Sequence, residues 1–143
     1  MINLTKISHI AFAVRSIDEA VSIFQRLFGA TVIYGPFTPS DKQHKFILLS
    51  VGGIVVELME PTDDQGFLAR FIAKRGEGFN HIGFDVDDIQ SASNALKSEG
   101  LQIIRERVDY PGLKYLFVHP KSFFGIELHL EEDWRSYSDL ETI

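Results

Sequence analysis

The sequence predicts an α+β fold built from two tandem βαβββ modules, and three observations carry that expectation. A block near the start, His9-Ile10-Ala11-Phe12-Ala13-Val14, returns 72 residues later as His81-Ile82-Gly83-Phe84-Asp85-Val86. The same offset recurs far downstream, where it carries Gly53-Ile54-Val55-Val56-Glu57-Leu58 onto Gly125-Ile126-Glu127-Leu128-His129-Leu130 with no net gap. Self-similarity at a fixed offset of half the chain marks a duplicated unit. The hydrophobic period also alternates between strand-like and helix-like runs in the same order in both halves.

In the first copy Ile7 to Val14 reads as a strand and Ile17 to Phe28 as an amphipathic helix, with Ala20, Ile23, Phe24 and Leu27 at helical spacing. Ser16 or Asp18 suits its N-cap and Gly29 its stop. Three strand-like runs follow, Thr31 to Tyr34, Phe46 to Val51 and Ile54 to Met59, the last two joined by a Gly52-Gly53 hairpin turn. The second copy repeats the order: strand Asn80 to Val86, helix Ile89 to Glu99 capped by Asp87 or Asp88 and stopped by Gly100, then strands Gln102 to Val108, Tyr115 to His119 and Gly125 to Leu130. Phe67, Leu68, Phe71 and Ile72 stand at helical spacing in the connection, which predicts a short helix there. The expected organisation is therefore a first module over 1–66, a linker helix over 67–79, a second module over 80–133 and a polar tail over 134–143, together one compact structural domain.

Composition narrows the function. The chain is 45% hydrophobic and 24% charged, the profile of a globular domain rather than a disordered or fibrous one. Twenty acidic against 14 basic side chains give a net charge of -6, which repels a polyphosphate and argues against nucleic acid as partner. The first residues lack the pattern of a targeting segment and no stretch approaches 18 apolar residues, so a cytoplasmic protein without a membrane partner is expected. Cysteine is absent, so thiol nucleophiles and thiolate metal sites are excluded, leaving His and carboxylate as the strong metal ligands. No phosphate loop or G-x-G-x-x-G fingerprint is present.

Of the five histidines, His9 and His81 are equivalent residues in the first strands of the two copies, and Glu57 and His129 are equivalent residues in the last strands. An ionisable group in an otherwise apolar strand must be paired or metal-bound, because burying it alone costs several kcal/mol or shifts its pKa until it neutralises. If the modules are related by a pseudo-two-fold axis, His9, Glu57, His81 and His129 converge as an N3O set suited to Zn, Co, Ni, Mn or Fe(II). Glu127 lies two residues before His129 and shares its face of the strand. It is an alternative fourth ligand, or a general base beside the metal. Gln43, His44 and Lys45 read as an exposed turn, with the mouth of a site as the alternative; His119-Pro120-Lys121-Ser122 reads as a turn between strands whose Lys121 could attract an anionic ligand; and Arg70, Lys74 and Arg75 read as a solvated face of the linker helix, with a phosphate-bearing substrate as the alternative partner.

With that set in place, the chain resembles the vicinal oxygen chelate superfamily, and within it methylmalonyl-CoA epimerases and glyoxalase I-like lyases. The resemblance rests on Ser8-His9-Ile10-Ala11-Phe12-Ala13-Val14, Val56-Glu57-Leu58-Met59-Glu60-Pro61, Phe67-Leu68-Ala69-Arg70-Phe71, Gly76-Glu77-Gly78-Phe79-Asn80-His81-Ile82 with Val86-Asp87-Asp88-Ile89, and His119-Pro120-Lys121-Ser122. It implies a curved mixed sheet around a metal cleft, with His9, Glu57 and His81 as ligands. The fourth ligand of such enzymes is usually a Glu four residues after a Gly, and here that place holds His129. An acidic base used by some bacterial epimerases has no acid at the corresponding Gln43-His44-Lys45-Phe46-Ile47.

The implied chemistry is proton transfer alpha to a carbonyl or thioester through a metal-chelated enediolate, with Glu127, or Glu57 if it leaves the metal, as the base. The implied substrate is a small molecule, an acyl-CoA or another thiol adduct, and the implied assembly a homodimer. Three further readings follow from the same superfamily. One is a lactoylglutathione lyase of the glyoxalase I kind, one an Fe(II) dioxygenase, for which three His plus Glu is one ligand too many, and one a non-catalytic binding or resistance protein, for which the ionisable set would be superfluous.

Overall fold

The structure, a computed structural model, describes residues 1–132. The expected tail over 134–143 lies outside the described residues. Along the chain run β1 (Leu4–Ala13), α1 (Ile17–Phe28), β2 (Thr31–Phe37), β3 (His44–Val51), β4 (Ile54–Pro61), α2 (Phe67–Arg75), β5 (Gly78–Val86), α3 (Ile89–Ser98), β6 (Ile103–Arg107), β7 (Lys114–Val118), a 3₁₀ turn at Pro120–Ser122 and β8 (Glu127–Glu132). The βαβββ order therefore occurs twice with α2 between the copies, an α+β architecture as expected. The described backbone separates into two compact units, one of residues 9–80 and one joining 1–8 to 81–132.

In the first of these units the strand order is β2-β3-β4-β1, and in the second it is β5-β8-β7-β6. Each four-stranded part is mixed: β1 pairs with β4, and β5 with β8, in parallel, while the other neighbours are antiparallel. The registers are copies of each other. Ile10 faces Val56 and Ala11 faces Glu57 in one unit, and Ile82 faces Leu128 and Gly83 faces His129 in the other. The 72-residue sequence offset is thus an offset of hydrogen-bonding register as well.

One face of each sheet is apolar and covered by that unit's helix. Ile47, Leu49, Val56 and Leu58 pack with Ile17, Ala20, Val21 and Phe24 of α1. Leu116, Val118, Leu128 and Leu130 pack with Ile89, Ala92 and Leu96 of α3. In α1 the sequence period predicts Ala20, Ile23, Phe24 and Leu27 as the inner stripe, whereas Ile23 is 45% and Leu27 62% exposed. Two overlapping stripes satisfy helical spacing here, and the one containing buried Ile17 wins because the helix start is pinned. The Ile17 amide donates to Glu60 Oε2 at 2.8 Å, and Ser16 caps the helix by accepting from the Glu19 amide. At the equivalent place the Ile89 amide donates to Glu132 Oε2 at 2.5 Å and Asp88 accepts from the Ser91 amide. A carboxylate at a helix N-terminus satisfies an orphan amide and complements the dipole. Glu60 and Glu132 are each also paired with a cross-strand lysine, Lys45 and Lys114. Gly52 and Gly53, with φ of 57° and 80°, make the expected tight turn between β3 and β4.

The outer end of α3 is tied to β6 through Glu106, which accepts from Lys97 Nζ at 2.8 and 2.9 Å and from the hydroxyl of fully buried Ser93. The Lys97 ammonium first, and then the Ser93 hydroxyl, hold the Glu106 carboxyl below its ordinary value of 4.5. A carboxyl whose folded pKa is depressed contributes stability above its unfolded value and loses it as pH falls through the folded one. We therefore expect Glu106→Gln to lower stability at pH 7 by up to about 1 kcal/mol, as for other partly exposed pairs. In urea titrations the difference from the native protein should close well below pH 4.5. A difference unchanged between pH 7 and pH 3 would refute this account.

Candidate functional site

The face of each sheet opposite the helix carries the ionisable residues, because alternation along a strand sends every second side chain there. In the unit of residues 9–80 that face holds His9 on β1, Glu57 on β4, and the buried apolar side chains Ala11, Ala13, Phe46, Leu48 and Met59 around them. His9 is 5% exposed, and its Nε2 stands 3.6 Å from Glu57 Oε2. That separation is long for a direct hydrogen bond. Within this unit the sequence-predicted residues are thus brought together.

In the other unit the same positions carry His81 and His129, 3% and 7% exposed. Their rings lie face to face with centroids 3.8 Å apart, and Phe117 of β7 stacks on the other side of His129, also at 3.8 Å. Glu127 is the register neighbour of His81 and its Oε1 lies 2.7 Å from His129 Nε2. An ionised carboxylate only accepts, so with Glu127 ionised it is Nε2 that donates in this contact. Such a carboxylate partner fixes the tautomer and raises the basicity of a ligating imidazole. Imidazole and carboxylate are also the donors that borderline divalent ions prefer, so the chemistry of the two residue sets fits the expected metal.

Sequence reasoning passed over three residues on this second face. Glu131, 4% exposed, continues the row Glu127, His129, Glu131, and its i, i+2, i+4 spacing is the signal that marks it. Asp85 is its register partner on β5 and pairs with Lys6 at 3.1 Å. Arg105 on β6 lies opposite Phe117.

The weaker candidates have local roles. The His119 Nδ1 accepts from the Lys121 amide at 3.1 Å, so it caps the 3₁₀ turn. His44 begins β3 between the rings of Phe46 and Phe67, and Gln43 Oε1 accepts from the Phe67 amide at 3.4 Å, supplying a cap that Gly66 has no side chain to give. Arg70 donates to the Gln65 carbonyl and Arg75 lies over the Phe71 ring. Among the described residues no helix is long and apolar enough to cross a membrane.

Comparison with known proteins agrees with this architecture. The Glyoxalase/Bleomycin resistance protein/Dioxygenase superfamily model matches residues 8–117. A mitochondrial methylmalonyl-CoA epimerase of Dictyostelium discoideum is 29% identical over 134 residues, 92% of this chain and 80% of that protein. An ethylmalonyl-CoA/methylmalonyl-CoA epimerase of Cereibacter sphaeroides is 28% identical, covering 89% of this chain and 97% of its own. The crystal structure of methylmalonyl-CoA epimerase from Mycobacterium tuberculosis superposes with a TM-score of 0.80 at 25% identity, covering 92% and 90% of the two chains.

Proposed function

Because this chain belongs to the Glyoxalase/Bleomycin resistance protein/Dioxygenase superfamily, we propose that it is a metal-dependent epimerase that moves a proton alpha to the carbonyl of an acyl-CoA thioester. The observation that carries the reading is the repeated register. Each module presents a buried histidine on its first strand and a donor side chain on its last, His9 with Glu57 and His81 with His129. His9, His81 and His129 are all buried, and imidazole is a donor that borderline divalent ions take. The epimerase names of the relatives supply the substrate class.

In this mechanism His9 and Glu57 of one module and His81 and His129 of the other would hold the ion. A divalent ion bound there polarises the substrate carbonyl and offsets the charge that develops on its oxygen. The Glu127 carboxylate, beside His129, takes the proton from the alpha carbon, and inversion follows when the planar enolate takes up a proton on its opposite face, from solvent or from Glu127 after the bound enolate turns over. The buried apolar surround of His9 and Glu57 keeps water from competing for these donors.

The test is to incubate the metal-loaded protein with one epimer of methylmalonyl-CoA in deuterium oxide, following deuterium at the alpha carbon by mass spectrometry and metal content by elemental analysis. The expected result is loss of stereochemical purity together with deuterium uptake, both abolished by a chelator. Metal-loaded protein that exchanges no deuterium would overturn the reading.

A further inference from the structure

We propose that Arg105 is the anchor for an oxyanion on the thiol carrier of the substrate. This deepens the epimerase reading and rests on it. The argument begins with a flaw in strand pairing. Ile103 of β6 faces Val118 and joins the apolar side covered by α3, but the register then shifts, and Arg105, not Ile104, faces Phe117. A bulge of this kind places one extra residue in a strand and re-aims those that follow. Without it, alternation would keep Ile103, Arg105 and Arg107 all on the apolar side. With it, Glu106 turns to Ser93 and Lys97 of α3 while Arg105 and Arg107 turn to the face that carries His129.

On that face Arg105, Phe117 and His129 form one cross-strand row, and Arg107, Tyr115 and Glu131 the next. The Arg105 guanidinium carbon lies 5.5 Å from the Tyr115 ring centre and 5.8 Å from that of Phe117, and Arg107 stacks over Tyr110 at 3.5 Å. Aromatic faces orient a guanidinium while leaving its edge N–H donors for another partner. Among the described residues Arg105 has no carboxylate partner, and what distinguishes it from other such surface cations is its place in the row of Phe117 and His129. In a chain of net charge -6 this is a cation kept available at an exposed edge of the sheet. Row spacing puts it two strands, roughly 10 Å, from His129. An oxyanion bound on the outer side of Arg105, at the sheet edge, lies away from His129, and we assign it to the carrier: a phosphate of CoA or a carboxylate of a peptide thiol.

Calorimetry with the full chain separates these sources, using free CoA, phosphate-free pantetheine and glutathione as probes against the native protein, Arg105→Gln and Arg105→Lys. We expect CoA to bind Arg105→Gln roughly tenfold or more weakly than the native chain, the size of one charge-assisted contact. Arg105→Lys should fall between them, and pantetheine should not distinguish the three. The same pattern with glutathione in place of CoA supports the anchor and assigns the carrier as a peptide thiol. Equal binding of both anionic probes to native and Arg105→Gln proteins, or binding of neither to the native protein, overturns the proposal. These readouts need no turnover, so failure of the deuterium test alone would sink the epimerase reading and leave the anchor standing.

Discussion

His81→Ala is expected to strip the divalent ion and lower kcat/KM by about a thousandfold or more, since an ion acting as Lewis acid supplies several kcal/mol of transition-state stabilisation and 1.36 kcal/mol is a factor of ten. His81 is 3% exposed and stacks on His129, so in the proposed site its loss would remove one ligand and unseat a second. The structural cost is separable from the chemical one. β5 keeps its parallel register with β8, and the apolar face of Ile82, Phe84 and Val86 against α3 is untouched. The variant should therefore melt cooperatively, with unchanged far-UV circular dichroism, while elemental analysis finds the metal gone. Retention of stoichiometric metal with native activity would remove His81 from the ligand set and, with it, the symmetry argument that selected His9 and His129.

That symmetry was visible in the chain itself, for a physical reason. Duplicated modules repeat their register, and register decides which side chains share a face, so the offset from His9 to His81 and from Glu57 to His129 survives as equal strand pairings. The helix starts were legible for similar reasons: Ser16 and Asp88 accept the amides that any helix leaves open. What one-dimensional periodicity misses is anything that breaks the period. The shift at Ile104 reverses which residues of β6 face His129, whereas alternation alone puts Arg105 on the side of α3. Two overlapping stripes of α1, offset by one helical turn, satisfy the same period, and Glu60, 43 positions from Ile17, decides between them. Glu131 needed only the alternation already applied to Glu127 and His129, carried one step further.

Glu127→Gln separates the base from the ligands. The glutamine carbonyl can still accept from His129 Nε2, as the carboxylate does at 2.7 Å, so that contact persists and metal content should match the native protein. What the amide cannot do is take a proton. Removing a positioned general base costs 10²–10⁴-fold on typical measurements, so deuterium uptake into methylmalonyl-CoA should fall by roughly that factor. Glu127→Ala adds a second loss, because without the orienting acceptor metal affinity should weaken by about 10–100-fold. Glu57→Gln should behave in the opposite sense: beside His9 in an apolar surround it serves the ion, so that variant loses metal first and exchange only in consequence. If Glu127→Gln exchanges at the native rate while metal-loaded Glu57→Gln does not, the roles are reversed, and Glu57 is the proton carrier with Glu127 as the fourth ligand's support.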